Sequence, residues 1–244
     1  MKTFVIMFCF ICSQLINFNS YASESCTEKS EQLGAIYSIE TSGLNHQTKK
    51  IKSNFELWRK GHDVLHINQS KQATNQWHTL KNNNVRKISY FDHYQRGIEF
   101  EPVAVSKTKW QLNYQLVSEN LLSKMTLIST KGESCERIEH YKFESKGQSV
   151  ELWWQPKLQL AQKIITIEKE ILTVWLLNKT IFSKDEIINV FNKKEDYQMT
   201  DYADIGDNES DPFLRKMIRL GFIDHAGSGF YDAQGNQLPN DHHH

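Results

Sequence analysis

The sequence predicts a mainly β fold of the α+β class: a curved antiparallel sheet or incomplete β-barrel with covering helices and a small C-terminal helix–hairpin appendage. Three observations lead there. Short runs of β-branched and aromatic residues recur every 8 to 12 residues or about that, between turn-forming clusters, which is the pattern of an antiparallel meander. Between Pro102 and Gly132 the apolar period lengthens to three- and four-residue steps, marking a helix in mid-chain. A second group of strands is followed by Ser183-Lys184-Asp185-Glu186, a helix-start signature.

Taken in order, residues 1–22 read as a signal peptide. Lys2 supplies the positive start, Phe4 to Ile11 the apolar run, and Ser20-Tyr21-Ala22 a small-x-small cleavage pattern. The apolar run falls short of the roughly 20 residues that a spanning helix needs, and no later stretch reaches that length. Cys9 and Cys12 leave with this segment, so Cys26 and Cys135 remain. In an oxidising compartment such a pair reads as a disulfide. Closing a loop of about 110 residues stabilises by about 4 to 5 kcal/mol in the chain-entropy model.

The first strand is expected at 35–41, bounded by Gly34 and Gly43. Strands at 55–58 and 63–67 flank the turn Lys60-Gly61. Those at 76–80, 85–91 and 97–101 are separated by Asn82-Asn83-Asn84 and Gln95-Arg96. In the mid-chain helix Trp110, Tyr114, Val117, Leu121 and Leu122 mark one face; Leu112 and Leu116 also fit a two-residue step, leaving strand open for its first half. Strands resume at 136–143, 150–154, 162–167 and 171–177, with Glu168-Lys169-Glu170 as a hairpin turn. The capping box at Ser183 opens a helix ending near Phe191. Further on, Asp211 and Pro212 fit the cap and first position of a helix over 213–220, with Gly221 as its left-handed stop. Residues 229–238 read as a small hairpin. The organisation expected is thus a signal peptide (1–22), a sheet domain (23–196) and an extension (197–244) packed on or beside it.

The stretch 150–191 resembles the second half of the periplasmic lipoprotein-carrier and outer-membrane lipoprotein-sorting proteins. There a strand ending in tryptophan meets a proline turn, two strands form a hairpin, and a capped helix ends in phenylalanine. The matching features are Trp153-Trp154-Gln155-Pro156, residues 163–167 and 172–177, and Ser183 to Phe191. Upstream, the run from Phe55 fits the family's first strands by pattern, so the resemblance covers residues 55–191. It implies a half-barrel that shields acyl chains in an apolar cavity.

Lys and Arg balance Asp and Glu at 29 each, which leaves no electrostatic footprint for nucleic acid or an anionic membrane. Asp207, Glu209 and Asp211 alternate like early calcium ligands, but the sixth and twelfth positions counted from Asp207 are Pro212 and Ile218, where a calcium loop needs Gly and an acid. Helix capping and solvation are the plainer reading. His62 and His66, with His78 and His93 on neighbouring strands, are candidate zinc or copper ligands only if the fold brings them together. The terminal His242, His243 and His244 form a tail able to scavenge metal. No G-x-S-x-G, H-E-x-x-H or phosphate-cradling glycine loop is present. Glu99, Glu101 and Glu151 are the carboxylates whose strand positions allow acid–base pairing. No catalytic residue and no cofactor is assigned.

All six tryptophans fall in predicted strands or the mid-chain helix. Adjacent Trp153 and Trp154 must point to opposite faces of a strand. Trp58, Trp77, Trp153 and Trp175 are taken as the candidate ligand-binding residues. The function expected is that of an exported, non-enzymatic binding protein of the cell envelope, periplasmic in the first instance and secreted in the second, holding a hydrophobic or lipid-like ligand. The alternatives are a protein–protein module or accessory subunit of an envelope complex, and a metal-binding envelope protein.

Overall fold

The computed structural model describes residues 28–44, 49–69, 73–208 and 210–221. The signal segment, Cys26, the hairpin expected at 229–238, the histidine tail and Glu209 lie outside them. The fold is mainly β. Twelve strands form one sheet: β1 (Gln32–Gly43), β2 (Ile51–Lys60), β3 (Asp63–Asn68), β4 (Ala73–Thr79), β5 (Asn84–Phe91), β6 (Arg96–Ala104), β7 (Thr126–Lys131), β8 (Ile138–Ser145), β9 (Gln148–Gln155), β10 (Leu160–Glu168), β11 (Ile171–Ile181) and β12 (Gln198–Asp201). Their order is β12-β6-β5-β4-β3-β2-β1-β11-β10-β9-β8-β7, curved and unclosed, with β1 joining the two meanders through β11. Every pairing is antiparallel except β12 on β6. Among the described residues four α-helices are added: α1 (Lys107–Gln115), α2 (Glu119–Leu122), α3 (Lys184–Asn192) and α4 (Pro212–Arg219).

The turns carry the backbone angles their residues allow. Asn83 and Gly61 take positive φ between their strands. In the β10–β11 hairpin both Lys169 and Glu170 do so, the geometry a two-residue turn needs to match strand twist. Ser183 caps α3 by accepting from the amide of Glu186, and Asp211 caps α4 by accepting from that of Phe213, with Pro212 at the first position. Trp153-Trp154-Gln155-Pro156 ends β9 and turns into the β10–β11 hairpin.

The single helix expected within 102–132 is corrected. Strand β6 runs on to Ala104, and Ser106 then caps α1. Leu116 adopts φ +65°, a left-handed residue that stops α1, and Ser118 caps the short α2. The β-branched run Thr126-Leu127-Ile128-Ser129-Thr130 then returns to the sheet as β7. The strand β12 was not expected; it is only four residues long.

Side chains alternate between two faces. On one, Tyr37, Phe55, Leu57, Val64 and Leu160 form a core against Trp110 and Tyr114 of α1. Beside it Val117, Met125, Val150, Leu152, Trp154 and Ala161 pack with Leu121 and Leu122 of α2. On the other face Trp58, Leu65, Tyr90 and Ile181 pack under Ile187 and Phe191 of α3. At the far end Phe91 and Ile98 are covered by Ile205 and by Phe213, Leu214 and Met217 of α4.

Candidate functional site

The α1–α2 face is incompletely filled. Between the helical segment and strands β9, β10 and β11 lies a cleft of about 350 Å³, lined by Leu112, Leu116, Val117, Leu121, Val150, Leu152, Ile164 and Trp175, with Gln148 and Thr166 as its polar members. No charged side chain lines it. Strand alternation builds the floor: Leu152 opposes Ile164 and Val150 opposes Thr166 on neighbouring strands. The left-handed turn at Leu116 builds the roof, because it carries Leu116 and Val117 down from α1 while α2 restarts beyond them.

Two basic side chains of the sheet hold the C-terminal end of α1 in place. Arg59 continues the inward row Phe55, Leu57 and is wholly buried. Its guanidinium donates to the carbonyls of Tyr114 at 2.6 Å, Ser30 at 3.0 Å, Leu158 at 2.8 Å and Gln159 at 2.7 Å, and stacks over the Tyr114 ring at 4.3 Å. Burial draws its pKa down to about 10, so it stays charged at neutral pH. His66 lies 2.7 Å, through Nε2, from the carbonyl of Asn113. It packs edge-on to Phe55 and Trp77. Burial pushes its pKa down to about 4, with the Arg59 charge adding to the fall and the Asn113 bond opposing it. A neutral imidazole at pH 7 therefore donates Nε2–H to that carbonyl. Both contacts fall on the negative end of the helix dipole.

The four candidate tryptophans do not converge. Trp175 lines the cleft and meets Phe55 at 5.1 Å, and Trp77 joins the same aromatic row through His66. Trp58 is in the core under α3, with its Nε1–H donated to Glu56. Trp153 points to that same outer side, stacked on His140 at 4.2 Å with Lys163 over its ring. Its neighbour Trp154 is the one that packs beside the cleft. Alternation foretold that the pair would split, yet nothing in two adjacent indoles says which faces in.

Among the described residues no three His, Cys, Asp or Glu side chains gather in a group fit for a metal. His78 lies 3.1 Å from Asp63, His66 is committed to α1, and His93 packs against Tyr94; His62 is exposed. Asp211 is spent on its helix cap and on Arg96, which draw its pKa down against the opposing effect of burial. Glu99 pairs with Arg86, and Glu151 lies beside His140 and Lys142 on the outer face, so the strand carboxylates are dispersed. Sequence reasoning missed Arg59; the available signal was a basic residue occupying an inward position of an alternating strand.

No family model matches the sequence, and no curated protein matches it. Solved structures that resemble the chain include PNGF-II, at a TM-score of 0.36 and 11% identity over 70% of this chain and 31% of that one. They also include the LolA superfamily protein NE2245 from Nitrosomonas europaea, at 0.31 and 11% over 64% and 92%. A putative outer membrane lipoprotein-sorting protein domain from Vibrio parahaemolyticus aligns at 0.29 and 7% over 68% and 93%. The chain spans about a third of the PNGF-II chain. The structural neighbours include a LolA superfamily protein and an outer membrane lipoprotein-sorting protein domain, both at TM-scores below 0.5.

Proposed function

We propose that this chain is an exported binding protein of the cell envelope that holds a hydrophobic, lipid-like ligand in the cleft between α1–α2 and the sheet. The observation that carries this reading is the cleft itself: about 350 Å³ bounded by eight apolar side chains and no charge. That size and lining suit a small apolar ligand. Burial of apolar area drives binding at roughly 25 cal/mol per Å². Residues 1–22 supply the export signal, and among the described residues no helix is long and apolar enough to cross a membrane. Mass spectrometry of protein purified without detergent should find an acyl-containing molecule. The naphthylamine dye N-phenyl-1-naphthylamine should brighten on binding and be displaced by lipid, and Trp175→Ala should weaken it. An empty protein that never brightens the dye overturns the reading.

A second reading, a protein–protein module, is favoured by one feature. The two ends of the sheet differ: β12 is short and runs straight into a 3-10 turn and α4, whereas β7 is outermost with all six residues exposed. Such an edge is a template for a partner strand. Ile128→Pro should abolish capture of an envelope partner while leaving dye binding intact; unchanged capture removes this reading.

A further inference from the structure

The cleft is apolar along its length except where Gln148 and Thr166 face it. The two residues are diagonal neighbours on one face of the sheet, since Thr166 opposes Val150 and Gln148 opposes Glu168 across the β9–β10 ladder. Their side chains find no hydrogen-bond partner among the described residues. An amide and a hydroxyl on the wall of an otherwise oily cleft provide donors without charge. Past Gln148, which borders both spaces, the surface opens into a shallower groove of about 490 Å³ at the hairpin tips. That groove carries both signs of charge, with Glu144, Lys169 and Glu170 in its lining beside the apolar Leu44 and Ile167.

We infer that the ligand is an acyl chain joined through a neutral ester or amide to a polar head of no net charge, and that Gln148 and Thr166 read the linkage carbonyl. The inference rests on the lipid-binding reading above and narrows it. The chain occupies the apolar cleft. The carbonyl accepts from the Gln148 amide and the Thr166 hydroxyl at its mouth, and the head lies over the hairpin tips. A free fatty acid fits poorly. Its carboxylate would meet no cation in the cleft lining and would come to rest beside Glu168, which shares a face with Gln148. Removing a carboxylate from water without a counter-charge is far more costly than burying a neutral carbonyl that finds two donors.

The test is displacement of bound N-phenyl-1-naphthylamine by lysophosphatidylcholine or by palmitate, both below their critical micelle concentrations, from full-length mature protein. Lysophosphatidylcholine should displace the dye at concentrations at least about tenfold lower, the worth of two neutral hydrogen bonds. In Gln148→Ala/Thr166→Val that preference should shrink several-fold, each lipid's displacement being referred to the variant's own measured affinity for the dye, which has no carbonyl. Thr166→Val alone, nearly isosteric, should lose part of it. Equal displacement by the two lipids, or a preference undiminished in the double variant, overturns this inference and leaves the lipid-binding reading standing. Failure of the wild-type protein to bind the dye or either lipid overturns both.

Discussion

Arg59 shows how a single side chain sets the shape of the cleft. One guanidinium satisfies carbonyls from the lead into β1, the end of α1 and the β9–β10 turn. Arg59→Met keeps the aliphatic stem and removes every donor, leaving four carbonyls to find water or go unpaired. Urea unfolding should show a loss of about 3 kcal/mol or more, beyond what one ordinary hydrogen bond supplies. His66 adds a dependence on pH. Its pKa lies at about 4 in the folded chain against 6.5 when exposed, so the unfolded chain binds the extra proton first as pH falls. The contribution of neutral His66 is complete above pH 6.5 or so and drains away down to about pH 4, with a ceiling of about 3 kcal/mol. Unfolding free energies at pH 7 and pH 5 should differ less in His66→Gln than in the wild type; an identical difference would mean other groups carry the acid sensitivity.

The helices divide between those that local chemistry dictates and those that the sheet imposes. Helix α3 belongs to the first kind: Ser183 caps it, Asp185 and Glu186 sit in its first turn, and Ile187 and Phe191 share one buried face. Ser183→Ala should cost about 1 kcal/mol, visible as a lower denaturant midpoint with an unchanged slope. Helix α1 is of the second kind. Its fully buried residues are Gln111 and Gln115 while Trp110 and Tyr114 pack on the core only half-buried, so polar contacts from Arg59 and His66 help to fasten it. This contrast explains what was legible in the sequence. The strands other than β7 and β12, the hairpin turn within Glu168-Lys169-Glu170 and the caps at Ser183 and Asp211 are local signals and were found where expected. The break at Leu116 was not, because a leucine with positive φ is held there by tertiary contacts that no period records. The cleft shares that origin. Leu112, Leu116 and Trp175 were visible as apolar residues, but their meeting depends on β1 pairing with β11, 10 strand positions matched across most of the chain.

At the scale of the whole molecule the question is whether residues 197–244 are an appendage or part of one cooperative unit. Strand β12 adds to the sheet through β6, and Met199 lies against Gly97 so closely that a Cβ there would clash. Arg96 reaches across to Thr200 and Asp211, and Lys194 and Tyr197 converge on Asp92, which Thr74 also bonds. Ile205, Phe213, Leu214 and Met217 seal Phe91 and Ile98 from water. Each of these side chains is worth about 1.5 to 3 kcal/mol when buried, a large share of the whole stability of a domain. Deleting residues 197–244 should therefore lower the melting temperature and expose apolar surface at β5 and β6, read as added fluorescence of anilinonaphthalene sulfonate. Phe213→Ala should move the melting temperature in the same direction by a smaller step. The apolar cleft sits on β9–β11, across β1 from this end of the sheet, so the molecules that remain folded should bind N-phenyl-1-naphthylamine with unchanged affinity. A truncated chain that melts where the full chain does would instead make residues 23–196 an independent domain, with the extension an addition to it.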